Sequence, residues 1–297
     1  MGHAAKRLRS VWWCALAVVA ACATPPPASH PIERHQVHIG DLDQHYRTVG
    51  KGPPLLLLHG LTDTWRIWQP HIDVLAAEHT LIIPDLRGHG DTPNPSPTLS
   101  PGQVARDMFA LLDAIGIQKI QVIGYSFGGH TGLRMAALQP NRVDALISVA
   151  GAHRLLGTAK KVHEAFAREE IQPGWWLTAA GTWHPGGENQ VRQLWRAGVL
   201  GALAADFDMP DSVVAGIRAR TLIVQGDRDE IFPIDVPLDM YRRIPRAQLW
   251  IIPNTTHNSI YAWVGIAPPE QDFGGAREAE RIFPEVANAF LRKRPAN

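Results

Sequence analysis

Residues 124–129 read Gly-Tyr-Ser-Phe-Gly-Gly and join two regular elements. The apolar run 120–123 precedes them, and residues 127–138 have the spacing of a helix. A Gly-x-Ser-x-Gly pattern between a strand and a helix indicates a sharp turn, which the two glycines permit. Such a turn holds Ser126 in a strained, exposed position at the N-terminus of the helix. The stretch therefore predicts a serine nucleophile directly after a buried strand.

The same type of short apolar run recurs on both sides of this turn. The further runs are residues 55–58, 80–83, 145–149, 221–224 and 248–252. Their length and continuity are typical of strands buried on both faces. Helical spacing occurs over 104–115, 127–138 and 276–291. This alternation predicts an α/β fold with a doubly wound, mostly parallel sheet, whose ligand sites form in the loops after the strands.

The alternation of strands and helices breaks at residues 152–218. We interpret 152–218 as a helical lid inserted into a core formed by residues 35–151 and 219–297. Tryptophans are concentrated in this interval, at positions 175, 176, 183 and 195. They form either the core of the lid or the wall of an apolar acyl pocket, because aromatic side chains dominate both settings.

The N-terminal residues have the composition of a signal peptide followed by a tether. Basic residues precede an apolar run over 11–21, which is too short for the roughly 20 residues of a membrane-spanning helix. Residues 19–22, Val-Ala-Ala-Cys, resemble the lipobox of bacterial lipoproteins. The resemblance implies a signal peptide over 1–21, lipidation of Cys22 and a Pro-rich tether over 22–34. A plain secretory signal is the alternative.

This lipobox resemblance also implies a location. We expect a lipid anchor in the bacterial cell envelope, at the outer membrane on its periplasmic side, because Ala23 and not an aspartate follows the cysteine. The membrane is then a partner through the acyl chains on Cys22. If the signal is merely secretory, the protein is periplasmic or secreted.

The composition excludes several other classes of function. The 297 residues contain 29 Lys and Arg against 28 Asp and Glu, so the net charge is +1 and a broad basic face for nucleic acid is not expected. Both cysteines, Cys14 and Cys22, lie near the N-terminus, which excludes paired Cys-x-x-Cys metal sites in the folded body. We expect no metal, no cofactor and no nucleic-acid partner.

Two other loops supply the groups that a serine nucleophile needs. Residues 226–233, after the run 221–224, contain Asp227 and Asp229, and His257 follows the run 248–252. A serine hydroxyl is a poor nucleophile at neutral pH, so it needs a base such as His257. That imidazole in turn needs a carboxylate that fixes its tautomer and stabilises its charged form.

A third loop is placed to stabilise a developing negative charge. His59-Gly60-Leu61 follows the run 55–58 at the same edge of the predicted sheet. A backbone N–H of this loop then lies beside the N–H of Phe127. Two such donors form an oxyanion hole.

Together these stretches resemble the α/β-hydrolase fold superfamily, in its lid-bearing group with a single His-Gly oxyanion loop. The order of serine, acid and histidine along the chain is that of these enzymes. The resemblance covers residues 37–293. The motifs that carry it are His59-Gly60, residues 85–90 (Asp-Leu-Arg-Gly-His-Gly), residues 124–129, residues 226–229 (Gly-Asp-Arg-Asp) and His257.

Carried over to this sequence, the resemblance implies a role for each site residue. Ser126 is the nucleophile, His257 the general base and Asp229 the acid that orients it. The N–H groups of Leu61 and Phe127 form the oxyanion hole.

At two positions the sequence offers an alternative to the family's pattern or departs from it. Asp227 is an alternative to Asp229, although the spacing Gly-x-x-Asp-x-x-x-Pro over 226–233 favours Asp229. Thr256 stands where glycine commonly precedes the histidine, which restricts the backbone of that loop without removing the base.

The resemblance also implies a reaction class. Epoxide hydrolases and haloalkane dehalogenases of this group attack carbon with a carboxylate, whereas this elbow holds Ser126, so acyl transfer to water on a small ester substrate fits better. Carbon–carbon bond hydrolysis and cofactor-free perhydrolase or haloperoxidase-like chemistry use the same triad and remain open. A non-catalytic, surface-anchored binding protein is the alternative from another class.

Overall fold

A computed structural model describes residues 30–94, 99–168, 176–204, 207–257 and 276–292. The predicted signal peptide, Cys22 and the tether up to residue 29 lie outside the described residues, as does Trp175. Within the described ranges, no helix is long and apolar enough to cross a membrane.

An eight-stranded sheet forms the centre of the described structure, and its order is β1-β2-β4-β3-β5-β6-β7-β8. The strands are β1 (Glu33–Ile39), β2 (Leu42–Val49), β3 (Pro54–Leu58), β4 (Thr80–Pro84), β5 (Ile120–Tyr125), β6 (Val143–Val149), β7 (Arg220–Gly226) and β8 (Ala247–Ile252). From β4 to β8 the pairs are parallel, whereas β2 is antiparallel to both of its neighbours. This confirms the predicted doubly wound, mostly parallel sheet.

The hairpin of β1 and β2 was not predicted as strands. Its first two residues, Glu33 and Arg34, pair with Thr48 and Arg47, so regular structure begins inside the predicted tether of residues 22–34. These two strands carry polar side chains that alternate with apolar ones and lack a continuous apolar run. A pattern search for strands buried on both faces therefore passes over them.

Helices cover both faces of the sheet. They are a 3₁₀ helix (Trp65–His71) and α1 (Ile72–Ala76), α2 (Pro101–Ala114), α3 (Phe127–Leu138), α4 (Gly157–Ala167), α5 (Trp176–Gly181), α6 (Gly187–Ala202), α7 (Asp211–Ala215), α8 (Asp235–Arg243) and α9 (Ala276–Arg292). Of these, α2 begins three residues before its predicted start, because Ser100 caps it by accepting from Gln103 N and Pro101 follows in the first turn.

Apolar side chains fill the space between the sheet and each helical layer. In β3, Leu56 and Leu58 pack with α2 and α3, whereas Leu55 and Leu57 pack with α1 and α9. Successive side chains of a strand point to opposite faces, so two of the leucines lie on each face. All four are fully buried, because helices cover both faces. The continuous apolar run in the sequence is thus the signature of a strand with a core on both sides.

The interval between β6 and β7, which we call the β6–β7 insert (residues 150–219), contains α4 to α7 in its described part. Its α6 lies against the loop after β3. A Cβ atom on Gly198 would be 2.5 Å from Cδ1 of Leu61, so glycine allows the close approach. The insert therefore covers the carboxyl edge of the sheet near the predicted oxyanion loop.

Candidate active site

Ser126 occupies the sharp turn between β5 and α3. Its φ of 51° and ψ of −114° lie outside the regions that non-glycine residues usually adopt. Such a conformation costs about 1–3 kcal/mol and persists only where the surroundings impose it. Here Ser126 N donates to Val149 O at 2.8 Å, which fixes the turn to the neighbouring β6.

The two glycines of the motif are required by close backbone contacts. A Cβ on Gly124 would lie 2.2 Å from Gly128 O, and a Cβ on Gly128 would lie 2.3 Å from Leu58 O. Larger residues at either position would force the strand, the turn and the helix apart. Gly128 therefore also brings the N-terminus of α3 against the loop that follows β3.

Hydrogen bonds join the three predicted catalytic side chains in one line. Ser126 Oγ lies 2.9 Å from His257 Nε2, and His257 Nδ1 lies 2.8 Å from Asp229 Oδ2. These contacts bridge the loops after β5, β7 and β8, over sequence separations of 131 and 28 residues. With Nδ1–H donated to the carboxylate, Nε2 is left as the acceptor for the serine proton.

The Asp229 carboxylate is fully engaged. Its Oδ1 accepts the backbone N–H groups of Ile231 and Phe232 at 2.9 and 2.8 Å, and its Oδ2 accepts Gln225 Nε2 at 2.6 Å in addition to His257. Asp229 is only 4% exposed, so these donors replace the water that would otherwise solvate its oxygens. The arrangement fixes the direction of the carboxylate toward the imidazole.

Burial and charge act in opposite directions on the pKa of His257, the predicted base. Burial alone lowers the pKa of His257, but the Asp229 carboxylate, with Glu230 and Asp63 behind it, raises that pKa above its ordinary value. A base of this kind accepts a proton readily and then holds it beside a negative charge.

The other two acids of the loop after β7 have different positions. Asp227 is exposed and accepts Thr255 N at 3.3 Å, so it braces the backbone of the His257 loop and does not reach the ring. Glu230 is also exposed, and its Oε2 accepts the backbone N–H of His257 at 3.2 Å. The sequence pattern left Asp227 as an alternative acid, and the geometry favours Asp229.

Two buried histidines brace the predicted oxyanion loop. His59 Nε2 accepts Leu86 N at 3.0 Å, and its Nδ1 donates to Gly60 O at 2.8 Å. His89 Nε2 accepts Thr62 N at 3.1 Å, and its Nδ1 donates to Arg87 O. Each ring is therefore a neutral Nδ1–H tautomer, and burial lowers the pKa of His59 to about 4.

Backbone strain flanks both predicted oxyanion donors. Thr62, with φ of 69°, follows Leu61 directly, and Ser126 precedes Phe127. Because Gly128 packs against the carbonyl groups of Leu58 and His59, the two loops meet beside the nucleophile. The imposed conformations indicate that the direction of these N–H groups is fixed before any substrate binds.

Side chains of the motif over residues 85–90 bind the elements that surround the site. Asp85 accepts Arg47 Nη1 at 2.9 Å and Trp65 N at 3.1 Å, which ties β2 and the start of the 3₁₀ helix together. Arg87 is 2% exposed and forms a bidentate pair with Asp107, at 2.8 and 2.9 Å. The motif is thus structural, and its histidine holds the oxyanion loop.

Sequence reasoning missed the side chains that fix the triad from the neighbouring strands. Tyr125, adjacent to the nucleophile, donates its hydroxyl to His257 O at 3.0 Å and is fully buried. Gln225 in β7 also donates to Phe232 O at 3.0 Å, which positions its amide toward Asp229. The available signal was a polar residue, Gln225, inside an apolar strand four residues before the acid.

An aromatic chain runs from the base into the β6–β7 insert. The ring centroid of Phe232 lies 5.5 Å from that of His257, and His163 of α4 stacks on Phe232 at 5.6 Å. Phe166 and Trp195 meet edge to face at 4.8 Å and join α4 to α6. Trp195 therefore contributes to the packing of the insert near the site.

Known proteins share the fold of this chain. A family model described as the alpha/beta hydrolase fold matches residues 53–180. A solved 2-hydroxy-6-oxo-6-phenylhexa-2,4-dienoate hydrolase from Rhodococcus sp. strain RHA1 superposes with a TM-score of 0.69, at 19% identity, over 89% of this chain and 100% of that one. The chain has the α/β-hydrolase fold.

Similarity to curated proteins is concentrated in part of the chain. A candidate carbamate hydrolase, RutD, of Azorhizobium caulinodans is 36% identical over 46% of this chain and 52% of its own length. A soluble epoxide hydrolase of Corynebacterium sp. is 39% identical over 36% of this chain and 38% of its own length. The chain thus matches about half or less of these relatives, whose named reactions differ.

Proposed function

We propose that this protein is a serine hydrolase that cleaves carboxylic esters through an acyl-enzyme on Ser126. The observation that carries the proposal is the continuous hydrogen-bond line from Ser126 Oγ through His257 to Asp229. Names of relatives support a hydrolase in general, since they include carbamate and epoxide hydrolases. Because one fold hosts many chemistries, the ester class rests on the site.

The first half of the proposed reaction forms the acyl-enzyme. Ser126 Oγ attacks the ester carbonyl while His257 Nε2 takes the serine proton, and the carbonyl oxygen becomes an oxyanion between the N–H groups of Leu61 and Phe127. The carbon–alkoxy bond then breaks as His257 gives its proton to the leaving alcohol. The Asp229 carboxylate stabilises the imidazolium throughout.

The second half returns the enzyme to its starting state. Water attacks the acyl carbonyl, and His257 Nε2 takes the water proton. Collapse of the second tetrahedral intermediate releases the carboxylic acid and returns the proton to Ser126. Each oxyanion donor contributes roughly 3–4 kcal/mol to lowering these barriers.

The nucleophile is tested by covalent labelling and turnover. A fluorophosphonate probe should label the wild-type protein at Ser126, and Ser126→Ala should lose both the label and the hydrolysis of short-acyl nitrophenyl esters. Ser148→Ala is the matched control, since this buried serine of β6 lies outside the triad. Undiminished turnover by Ser126→Ala would refute the mechanism.

The bond that is cleaved is tested by a substrate panel. Esters, amides, lactones and vinylogous diketones offered to the same preparation should give the largest kcat/KM for esters. A preference for diketones would replace the proposal by carbon–carbon bond hydrolysis, and ester turnover that needs peroxide would indicate perhydrolase chemistry. Tight binding of a panel member without any turnover would favour the binding-protein alternative.

We further infer that residues 152–218 act as a lid that sets acyl preference. Support comes from α6, which packs on Leu61, and from the aromatic chain that links α4 and α6 to the base. In a series of esters of increasing acyl length, Trp195→Ala should move the optimum, whereas a change in overall rate alone would contradict this role.

The N-terminal pattern supports a location that is also a proposal. We infer that Cys22 is the lipid attachment site and that the chain is held at the bacterial envelope, on the basis of the lipobox-like residues 19–22. Cys22→Ser should release the protein from the membrane fraction of an expressing bacterium. Retention of that variant in membranes would contradict the lipobox interpretation.

A further inference from the structure

A cleft lies at the edge of the sheet opposite to the triad. Its volume is about 880 Å³, and it is lined by the residues at which β3, β5, β6 and β7 begin. The triad residues follow the ends at which β5, β7 and β8 terminate. Strands of five to seven residues therefore separate the two sites by roughly 20 Å.

Positive charge predominates in this cleft, which we call the amino-edge cleft. Its cationic lining residues are Lys119, Arg218, Arg220, Arg246 and Arg292, and its acidic ones are Glu78 and Asp144. Both acids are already used, since Lys119 lies 3.9 Å from Asp144 and Arg292 lies 3.3 Å from Glu78. Within the part of the chain that the structure describes, no acid lies within salt-bridge distance of the remaining three arginines.

Hydrogen bonds to backbone carbonyl groups fix two of these three arginine side chains. Arg246 Nη1 donates to Arg218 O at 3.3 Å, and Arg220 donates to Phe290 O and Leu291 O at 2.6 and 3.1 Å. Partial burial and the neighbouring Arg246 lower the pKa of Arg220. Like charges fixed at one edge repel each other and focus a positive potential there, which an anionic surface would neutralise.

The path of the chain identifies the surface that this edge would meet. Because β1 is antiparallel to β2 and β2 to β4, β1 begins at the edge where β4 begins. Glu33 thus enters the sheet at the edge that carries the cleft, six strand spacings, or roughly 29 Å, from the start of β7. The 11 residues from Cys22 to Glu33 reach at most roughly 37 Å when extended. This length spans the distance to the start of β7, so a lipid on Cys22 can reach the surface that carries the amino-edge cleft.

We propose that the amino-edge cleft docks on the phosphate-bearing headgroups of an anionic membrane surface. In this orientation the carboxyl edge, with Ser126, faces away from the bilayer and toward soluble substrate. The proposal goes beyond the ester reaction, and its test needs neither catalysis nor lipidation.

Vesicle binding tests the proposal with the full chain carrying Cys22→Ser, so that no acyl chain contributes. Co-sedimentation is measured with phosphatidylcholine vesicles that lack or contain phosphatidylglycerol. The test variant adds Arg218→Ala and Arg246→Ala, both exposed. The matched control adds Arg192→Ala and Arg196→Ala on α6, which are also exposed and remove the same charge. Thermal unfolding verifies that both variants fold.

Binding should depend on phosphatidylglycerol and weaken with salt. A basic residue near an anionic surface contributes about fivefold in affinity, so the test variant should bind at least about tenfold more weakly and the control about as well as its parent. Equal losses in both variants, or binding that ignores phosphatidylglycerol, would overturn the proposal. Displacement by inorganic phosphate beyond that by sodium chloride of the same ionic strength would also overturn it, in favour of a small phosphorylated ligand.

Discussion

The exposed carboxylate of Glu230 offers a way to change the base without touching the triad. Its Oε2 accepts the backbone N–H of His257 at 3.2 Å. Burial lowers the pKa of that histidine, and the charge of Glu230 acts with that of Asp229 to raise the pKa. Glu230→Gln retains a side-chain oxygen for the same N–H but removes the charge. We therefore expect the pKa of His257 to fall.

The size of this shift follows from Coulomb's law. At an assumed separation of roughly 6 Å, a unit charge contributes about 0.7 kcal/mol in water and about 1.4 kcal/mol at an effective dielectric constant of about 40. Since Glu230 is exposed, these high dielectric constants apply. The pKa of His257 should fall by about 0.5 to 1 unit.

The pH dependence of kcat/KM on a nitrophenyl ester measures this pKa in the free enzyme. The neutral imidazole is the active form, so activity rises with pH through the pKa of His257. In Glu230→Gln the acid limb should move to lower pH by the same 0.5 to 1 unit, while the plateau stays near that of the wild type. Added salt should shrink the difference between the two proteins.

Asp227→Asn is the matched control for this experiment. It removes the same charge from the same loop, but Asp227 contacts Thr255 N and is not among the groups with the largest effects on the pKa of His257. Its acid limb should move less than that of Glu230→Gln. An unshifted Glu230→Gln profile, or equal shifts in both variants, would refute the assigned role of Glu230.

Two further predictions concern charges that are buried. Asp229→Asn should reduce kcat by about 10³- to 10⁴-fold with little change in KM, because an amide does not stabilise the imidazolium as a carboxylate does. Steady-state ester kinetics measure this loss. A loss below about tenfold would show that Asp229 is not the acid of the triad. Asp107→Asn should lower the free energy of unfolding by about 3 kcal/mol in urea denaturation, because it leaves Arg87 buried beside a neutral partner. A change below about 1 kcal/mol would show that Asp41 alone compensates for the charge of Arg87.

The parallel part of the fold was predictable because each strand has a core on both faces. Burial on two sides leaves a continuous apolar run, such as the leucines of β3, and a run of that kind is visible without any partner. The β1–β2 hairpin gives no such signal. Its Arg47 is only 5% exposed yet is charged, and Asp85, which neutralises it, lies 38 residues away. An arginine in a sequence pattern predicts an exposed position, and its burial becomes predictable only when its acidic partner is known.

The chemical groups of the site were predictable for a related reason, since each follows a strand that ends at the same edge. The side chains that orient them depend instead on register and on contacts distant in sequence. Tyr125 reaches His257 O over 132 residues, and Glu230 meets the His257 N–H because β7 and β8 pair in register up to Gly226 and Ile252. Neither contact has a pattern of its own.

Gln225 shows where such a support could have been found from sequence. It lies between Val224 and Gly226 at the end of a strand whose apolar run predicts burial on both faces. A buried amide must have hydrogen-bond partners, and the polar side chain nearest along the chain belongs to the loop that carries Asp229. The structure places Gln225 Nε2 at 2.6 Å from Asp229 Oδ2, the oxygen that also accepts His257 Nδ1. A polar residue that interrupts a buried strand just before a candidate acid therefore predicts a hydrogen bond to that acid. Burial removes water from the polar side chain and leaves few other partners for it.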